Sequence, residues 1–224
     1  STPGGQDPEL SLWQPDASLG VVRQHDVVAR QRQLEGAAEH RTADRRNRRQ
    51  VLELLDAPED LVPDLDHALD DVPRPEVFVI PGGLQGTFAA AQDERILAWV
   101  RGAHEHSRFS TSVCTGSLIL GAAGLLRGLT ATTHWAAKAM LEQHGATYSE
   151  QRVVRAGRIE TAAGVSSGID MALHLAGELA GAEAAKAIQL AIEYDPQPPY
   201  DAGSPAKAGE SVVQRALEGL TRSR

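Results

Sequence analysis

The stretch FSTSVCTGSLILGAAGLL, residues 109–126, decides the fold expected for this chain of 224 residues. Its first five residues, 109–113, are rich in apolar and β-branched side chains, a composition typical of a strand. The small residues 114–117 follow, and the apolar run from Leu118 to Leu126 predicts a buried helix. A strand that runs directly into a helix through small residues has the geometry of a nucleophile elbow, in which the corner side chain points out of the sheet.

Cys114 occupies this corner and is the only cysteine in the chain. A thiol near a helix N-terminus faces unpaired N–H groups and the positive end of the helix dipole, which favour the thiolate. Gly116 and Ser117 are small enough to let a ligand approach the corner. A lone cysteine after a buried strand is also a common small core residue, so the residues alone leave both interpretations open.

The composition narrows the class of protein. The formal net charge of -8 argues against a general nucleic-acid surface. A single cysteine excludes an internal disulfide framework and fits a reducing compartment. No apolar run approaches the roughly 20 residues that a membrane-spanning helix needs, and the start lacks a signal-peptide pattern. We therefore expect a cytoplasmic protein with neither a nucleic-acid nor a membrane partner.

Residues 1–66 carry few structural signals. The first 20 residues are rich in proline, glycine and polar side chains, as unstructured segments are. Five arginines fall between Arg41 and Arg49, and eight acidic residues with no basic ones lie between Glu53 and Asp71. We interpret the basic run as a solvated helix face or a disordered segment. We expect an atypical, partly disordered segment over 1–66, an α/β domain over 67–205 and a surface helix over 206–224.

Strands and helices alternate after residue 67, which predicts a mostly parallel sheet with helices on both faces. The predicted strands cover 76–80, 109–113 and 130–133, with a hairpin joining 152–155 to 158–162. The predicted helices cover 93–106, 118–126, 134–144, 168–179, 182–192 and 209–220. Gly82-Gly83, Cys114 and Ser166-Ser167 each follow a predicted strand. Because parallel strands end at one edge of a sheet, we expect a site there.

Four motifs, in this order, resemble those of the ThiJ/PfpI superfamily: VFVIPGG (77–83), SVCTGSLILGAAGLL (112–126), ATTHW (131–135) and AGVSSGIDMAL (163–173). The closing IQLAIEYDPQPPYDAGSP (188–205) is similar to the isonitrile (isocyanide) hydratase branch. The resemblance implies a flavodoxin-like three-layer α/β sandwich that assembles as a homodimer.

The resemblance also implies an activity. Members of this branch add water to an isonitrile, a small-molecule substrate, and form an N-substituted formamide without a metal or an organic cofactor. Cys114 would attack the isonitrile carbon to give a thioimidate, which water then resolves in a lyase reaction. Thr115 would hold the reacting group through its side chain and N–H, and the turn of Gly82 and Gly83 would supply a second backbone N–H.

Three other side chains at the predicted edge are candidates for a role. His134 opens a helix after a strand and is a candidate acid, base or substrate-binding residue near Cys114, although the matching family position reads as structural. Ser166 is a candidate substrate-binding residue, and Ser166 or Ser167 is a candidate helix cap. Asp170 is predicted to be a first-turn carboxylate that the helix dipole stabilises.

Two further groups of polar residues receive a structural interpretation. Asp93, His104 and His106 are the residue types of a metal site, but they lie at a predicted exposed helix end, so we predict no bound metal. Residues 193–195, Glu-Tyr-Asp, are predicted to anchor a terminus or an interface.

The chain departs from the superfamily at its start. The superfamily opens with an apolar strand and a segment resembling LDxxGPxEV, which delivers a carboxylate towards the thiol. Residues 1–66 contain no such segment. We therefore expect the first strand and helix, with that acid, to be absent or replaced, and activity to be impaired. Two alternatives stay open: a ligand-sensing, amidase-like domain related to AraC-type regulators, in which Cys114 is a spectator, and a catalytically inactive remnant.

Overall fold

Four strands form the central sheet of the computed structural model, which describes residues 67–83 and 85–222, with side chains to residue 220. The strands are β1 (Val77–Ile80), β2 (Phe109–Val113), β5 (Val153–Ala156) and β6 (Ile159–Ala162). Their spatial order is β1-β2-β6-β5. β2 runs parallel to both of its neighbours, and β5 pairs antiparallel with β6. A separate pair of two-residue strands, β3 (Thr130–Ala131) and β4 (Thr147–Tyr148), is also parallel.

The register of the sheet brings three strand ends together. Ile80 pairs with Ser112, and Val113 pairs with Ala162, so β1, β2 and β6 end at the same edge. Four of the five residues of β2 are buried, as expected of a central strand that is covered on both faces. The predicted parallel arrangement around the 109–113 strand is confirmed.

Helices cover both faces of this sheet. The α-helices are α1 (Gln85–Ala90), α2 (Glu94–His106), α3 (Ser117–Ala122), α4 (Lys138–Gln143), α5 (Ser167–Ala180), α6 (Ala182–Ala191), α7 (Pro205–Ala208) and α8 (Glu210–Arg222). Short 3-10 turns cover Leu69–Asp71, Cys114–Gly116 and Trp135–Ala137. None of the helices in the described ranges is long and apolar enough to span a membrane.

The buried apolar residues form two clusters, one on each side of the sheet. The larger cluster joins Phe78 and Ile159 to side chains of α2, α3 and α4. The smaller cluster joins Phe109 and Ala162 to Met171 and Leu175 of α5. Ile159 and Ala162 are three positions apart on one strand and therefore point to opposite faces. The predicted three-layer sandwich is confirmed.

Two predicted helices are wrong in extent. The helix predicted over 118–126 ends at Ala122, because Gly124 has a φ of +85° and turns the chain. Leu126 is nonetheless fully buried, so the apolar run reflects burial rather than helix length. The helix predicted over 134–144 is a 3-10 turn, Trp135–Ala137, followed by α4.

The strand predicted over 130–133 is shorter than expected, and residues 1–66 lie outside the residues that the structure describes. Only two residues of the strand predicted over 130–133 pair with a neighbour. Thr132 and Thr133, which follow them, are fully buried and form hydrogen bonds through Thr132 N and the Thr133 hydroxyl. The predictions for residues 1–66 fall outside the described residues, and the three-part division of the chain stays a prediction.

Candidate active site

The corner at Cys114 is the most strained backbone feature of the site. Cys114 follows β2 directly, begins the Cys114–Gly116 turn and has a φ of +59°. A non-glycine residue held in this left-handed region costs roughly 1–3 kcal/mol, so surrounding contacts must enforce it. Among the non-glycine residues that the structure describes, only Cys114 and Glu193 have a positive φ. Cys114 as a residue is partly exposed and is not part of the buried core.

Hydrogen bonds from two hydroxyls hold the carbonyl of the corner residue. Thr133 Oγ1 donates to the Cys114 carbonyl oxygen over 3.1 Å, and Ser117 Oγ donates to the same oxygen over 3.2 Å. Ser117 is fully buried. The expectation that Ser117 leaves room for a ligand is therefore wrong, because its hydroxyl fixes the backbone of the corner.

Two glycines let the end of β1 approach the corner closely. A Cβ added to Gly82 would lie 2.7 Å from the Cβ of Cys114, and one added to Gly116 would lie 2.2 Å from the carbonyl oxygen of Ile80. Both separations are far below normal contact. The space at Gly116 is thus filled by β1 itself, and the expectation that it admits a ligand is wrong.

Thr115 binds the glycine turn rather than an open space. Its hydroxyl donates to the carbonyl oxygen of Gly83 over 2.7 Å and accepts from the N–H of Gly83 over 3.0 Å. The hydroxyl of Thr87 on α1 lies 3.2 Å from it. The N–H of Gly83 is therefore occupied, which corrects the expectation that it is free to bind the reacting group. The backbone N–H of Thr115, in the first turn of a helical segment, is the better candidate donor.

His134 lies one residue after Thr133 and caps the Trp135–Ala137 turn. Its Nδ1 accepts a hydrogen bond from the N–H of Ala136 over 3.4 Å, an arrangement that places the ring proton on Nε2. Burial lowers the pKa of His134 below its usual range, so the ring is neutral near pH 7. A Cβ added to Gly164, in the loop after β6, would lie 3.8 Å from the His134 ring. The His134 side chain therefore lies next to the loop that follows β6.

Ser166 immediately precedes α5, and its side chain does not cap the helix. The structure has no side-chain capping hydrogen bond at Ser166, and its hydroxyl instead accepts from the Arg152 guanidinium over 3.4 Å. Of the two candidate caps, Ser166 and Ser167, Ser166 occupies the capping position, but its side-chain oxygen accepts from Arg152 and not from the helix. Ser166 as a substrate-binding residue stays a prediction, and its exposed side chain leaves that role open.

Asp170 lies in the first turn of α5, as predicted, and accepts two hydrogen bonds. Arg152 Nε donates to Oδ2 over 2.5 Å, and the Tyr194 hydroxyl donates to Oδ1 over 2.5 Å. Burial acts to raise the pKa of Asp170, but the hydrogen bonds from Arg152 and Tyr194 outweigh it and lower the pKa below the ordinary 3.8. The predicted anchoring role of residues 193–195 matches this contact of Tyr194.

We expect Asp170→Asn to lose stability in a pH-dependent way. A carboxyl whose pKa is lowered by folding stabilises the protein above its unfolded pKa, and this contribution disappears as the pH falls through the folded pKa. The difference in unfolding free energy between wild type and Asp170→Asn should therefore be largest from pH 5 to 7 and shrink below pH 3.8. Urea unfolding between pH 3 and 7 measures it, with Asp201→Asn, an exposed carboxylate beside Lys207, as matched control. A difference that grows on acidification would contradict the linkage.

A buried acid on β6 has no signal in the sequence. Glu160 is fully buried, its Oε1 pairs with Nδ1 of His174 over 2.8 Å, and its Oε2 has no partner. A glutamate in a strand ordinarily points to solvent, and His174 lies 14 residues further along the chain. Only the packing of α5 onto the sheet brings the two together.

The expectation that Asp93, His104 and His106 lie at one helix end is wrong, because Asp93 caps the N-terminus of α2 and the two histidines lie in its last turn. Asp93 Oδ1 accepts from the N–H of Arg95 and caps α2, and His104 Nδ1 lies 2.8 Å from the hydroxyl of Ser110. Within residues 67–83 and 85–222 no three or more histidine, cysteine or acidic side chains form a group that could hold a metal ion.

An open, mostly parallel sheet, helices on both faces and a strained cysteine at the strand-to-helix corner define a class of α/β proteins with a cysteine elbow. The model of the DJ-1/PfpI family matches residues 56–178. The chain belongs to the DJ-1/PfpI family, which confirms the resemblance noted from the motifs.

Comparison with known proteins supports this assignment. The chain is 48% identical over 147 residues to the isonitrile hydratase of Pseudomonas putida, covering 66% of this chain and 64% of that protein. The crystal structure of a THiJ/PfpI family protein from Pseudomonas syringae matches with 43% identity and a TM-score of 0.64, covering 67% of this chain and 62% of that one. Drosophila melanogaster DJ-1beta matches with 25% identity and a TM-score of 0.54, covering 59% and 72%. The chain thus spans just under two thirds of the two Pseudomonas proteins.

Proposed function

We propose that this protein hydrates isonitriles to N-substituted formamides, with Cys114 as the nucleophile. The observation that carries the proposal is a strained, partly exposed cysteine elbow in a chain 48% identical to an isonitrile hydratase over 147 residues. An elbow of this kind holds its side chain away from the sheet and within reach of a substrate. The reaction draws on no metal and no organic cofactor.

The proposed reaction balances with water as the only co-substrate. The Cys114 thiolate forms a C–S bond to the terminal carbon of the isonitrile, and that carbon takes one proton to give a thioimidate. Water then adds to the same carbon and releases one proton, which restores the acid that protonated the carbon. The C–S bond breaks, and the thiolate leaves with the bonding pair. The resulting formimidic acid transfers its hydroxyl proton to nitrogen and becomes the formamide, so one isonitrile and one water yield one product.

Residues around the corner supply candidates for the other roles. The N–H of Thr115 can donate to the reacting group, since it lies next to the sulfur-bearing residue at the start of a helical segment. His134, neutral near pH 7, carries a proton on Nε2 and is our candidate for proton transfer. The carboxylate that the family resemblance implies has no counterpart in this chain, since residues 1–66 contain no matching segment.

Turnover of an alkyl isonitrile by the wild-type chain tests the proposal. Proton NMR follows the formyl proton of the formamide, and pretreatment with iodoacetamide provides the control. Because the chain has one cysteine, alkylation adds a single label that mass spectrometry can locate at Cys114. We expect turnover before labelling and none after it. Equal turnover by the labelled protein would end the thiolate mechanism, and binding of the isonitrile without product would favour the sensor alternative.

We also propose that the protein forms a homodimer. α6 has no buried residue in the single chain, and its apolar residues Ile188 and Leu190 are 44% and 79% exposed, followed by Ile192 at 54%. Clustered exposed aliphatic side chains are typical of an interface. Size-exclusion chromatography with light scattering should give about twice 23.9 kDa, and Leu190→Glu should shift the mass towards one chain. A wild-type mass of one chain would overturn this proposal.

A further inference from the structure

Asp170 is the junction of three segments that are distant in sequence. Arg152, which precedes β5, donates to one carboxylate oxygen, and Tyr194, which follows α6, donates to the other, each over 2.5 Å. Asp170 itself lies in the first turn of α5. Both oxygens therefore have a donor, and the start of α5 is tied to the chain on either side of it.

The start of α5 is also the part of that helix that contacts the corner. A Cβ added to Gly168 would lie 3.1 Å from the side chain of Val113, the residue before Cys114, and Gly164 faces the His134 ring. On its other side the loop is held by Arg152, whose carbonyl accepts from the N–H of Ala163 over 2.8 Å. Residues 163–168 are thus fixed between the corner and Arg152.

The turn that carries Tyr194 is itself strained. Glu193 has a φ of +50° and shares this feature only with Cys114 among the non-glycine residues described. Gln189 braces the turn, because its side-chain amide donates to the Tyr194 carbonyl and its carbonyl accepts from the Tyr194 N–H, both over 3.1 Å. Strain of this kind persists only where the surroundings enforce it, and it often marks a functional constraint. Here it aims the Tyr194 side chain at Asp170.

We infer that Tyr194 is a positioning residue of the candidate active site. Through its hydrogen bond to Asp170 it holds the 163–168 loop in place, and this loop forms one side of the substrate-binding site. The inference rests on the proposed hydratase function and extends it to a segment outside the sheet. Tyr194 touches no reacting atom, so its effect must appear in substrate binding rather than in the chemical step.

Tyr194→Phe removes one hydroxyl and tests the inference. We expect KM for an alkyl isonitrile to rise about tenfold with kcat within about twofold, since a displaced wall weakens binding of ground state and transition state alike. A merely structural loss would lower the amount of active enzyme and hence kcat, leaving KM unchanged. Tyr200→Phe is the matched control, because Tyr200 lies in the same segment and is 80% exposed.

A double-mutant cycle adds a second check. If Tyr194 acts through Asp170, the Tyr194→Phe and Asp170→Asn changes should combine to a KM no higher than that of Asp170→Asn alone. Fully additive effects, or a KM for Tyr194→Phe equal to that of Tyr200→Phe, would overturn the inference while wild-type turnover keeps the hydratase proposal intact.

If the wild-type protein shows no turnover, the alkylation rate of Cys114 tests the positioning role of Tyr194 instead. Loosening the loop should expose the thiol, so Tyr194→Phe should speed its reaction with iodoacetamide at pH 7 at least about threefold, and Tyr200→Phe should not. A rate unchanged from wild type would overturn the inference in that case. The failure of the hydratase proposal and the failure of the positioning role are therefore separate results.

Discussion

Cys114→Ser is expected to lower formamide production from an alkyl isonitrile by at least about a thousandfold. Oxygen replaces sulfur at the same corner, and a serine hydroxyl is a far weaker nucleophile than a thiolate unless a general base activates it. Loss of a covalent nucleophile is accordingly among the largest effects a single substitution has on turnover. Steady-state rates of the two proteins, with the formyl proton as the signal, measure the difference.

The Cys114→Ser protein should keep its fold, so that a loss of turnover can be assigned to the missing thiol and not to unfolding. Serine differs from cysteine by one atom, and the contacts that enforce the corner, from Thr133 and Ser117, end on the backbone carbonyl and not on the sulfur. We expect unchanged far-ultraviolet circular dichroism and a small shift in Tm. Turnover close to wild type in a folded Cys114→Ser protein would show that the thiol is a spectator.

Most of the sheet could be predicted from the sequence because its signals are local. The 109–113 strand, the 76–80 strand and the 152–162 hairpin each combine apolar or β-branched residues with a turn signal next to them. Parallel pairing follows from the alternation with helices. The meeting of the glycine turn and Cys114 at one sheet edge then follows from strand direction alone, and the register confirms it.

Helix ends were harder to predict, for a physical reason. A buried apolar run satisfies helix, turn and loop equally well, so LILGAAGLL gave no signal for the end at Ala122. The decisive residue is Gly124, whose positive φ reverses the chain while Leu126 still fills the core. Periodicity cannot distinguish these cases where the run is apolar throughout.

The internal contacts of the site could not be predicted, because they join residues far apart in the chain. Thr115 and Gly83 are 32 positions apart, and Tyr194 and Asp170 are 24 apart. Each pair depends on two elements arriving at one place in a set orientation. The role expected of the Gly83 N–H was therefore wrong for a reason invisible in sequence, namely that a neighbouring hydroxyl already accepts its hydrogen bond.

Gly116→Ala should be the most destabilising single-methyl change near the site. Gly116 has a φ of -55° and a ψ of -26°, which alanine adopts readily, so backbone conformation adds no penalty. The added Cβ would instead lie 2.2 Å from the carbonyl oxygen of Ile80 and 2.8 Å from that of Pro81. These are backbone atoms at the end of a sheet strand, and no side-chain rotation can relieve the overlap.

The structure can accommodate the Gly116→Ala methyl only if β1 and the corner move apart. Overpacking of a well-packed core typically lowers the free energy of unfolding by about 1–3 kcal/mol. A collision with main-chain atoms should cost as much as the upper end of this range or more. We expect a loss of about 3 kcal/mol or more, which lowers Tm by roughly 10 °C in a chain of this size. Urea and thermal unfolding both measure it.

Gly102→Ala is the matched control for that experiment, because the same methyl enters open space. Gly102 lies inside α2, and a Cβ there would meet nothing within 4 Å. Alanine is a better helix former than glycine, so the free energy of unfolding of Gly102→Ala should be higher than that of wild type by roughly 0.5–1 kcal/mol. Opposite signs for two glycine-to-alanine changes would locate the constraint in the contact between β1 and the corner. A Gly116→Ala protein as stable as wild type would show that β1 does not press against Gly116.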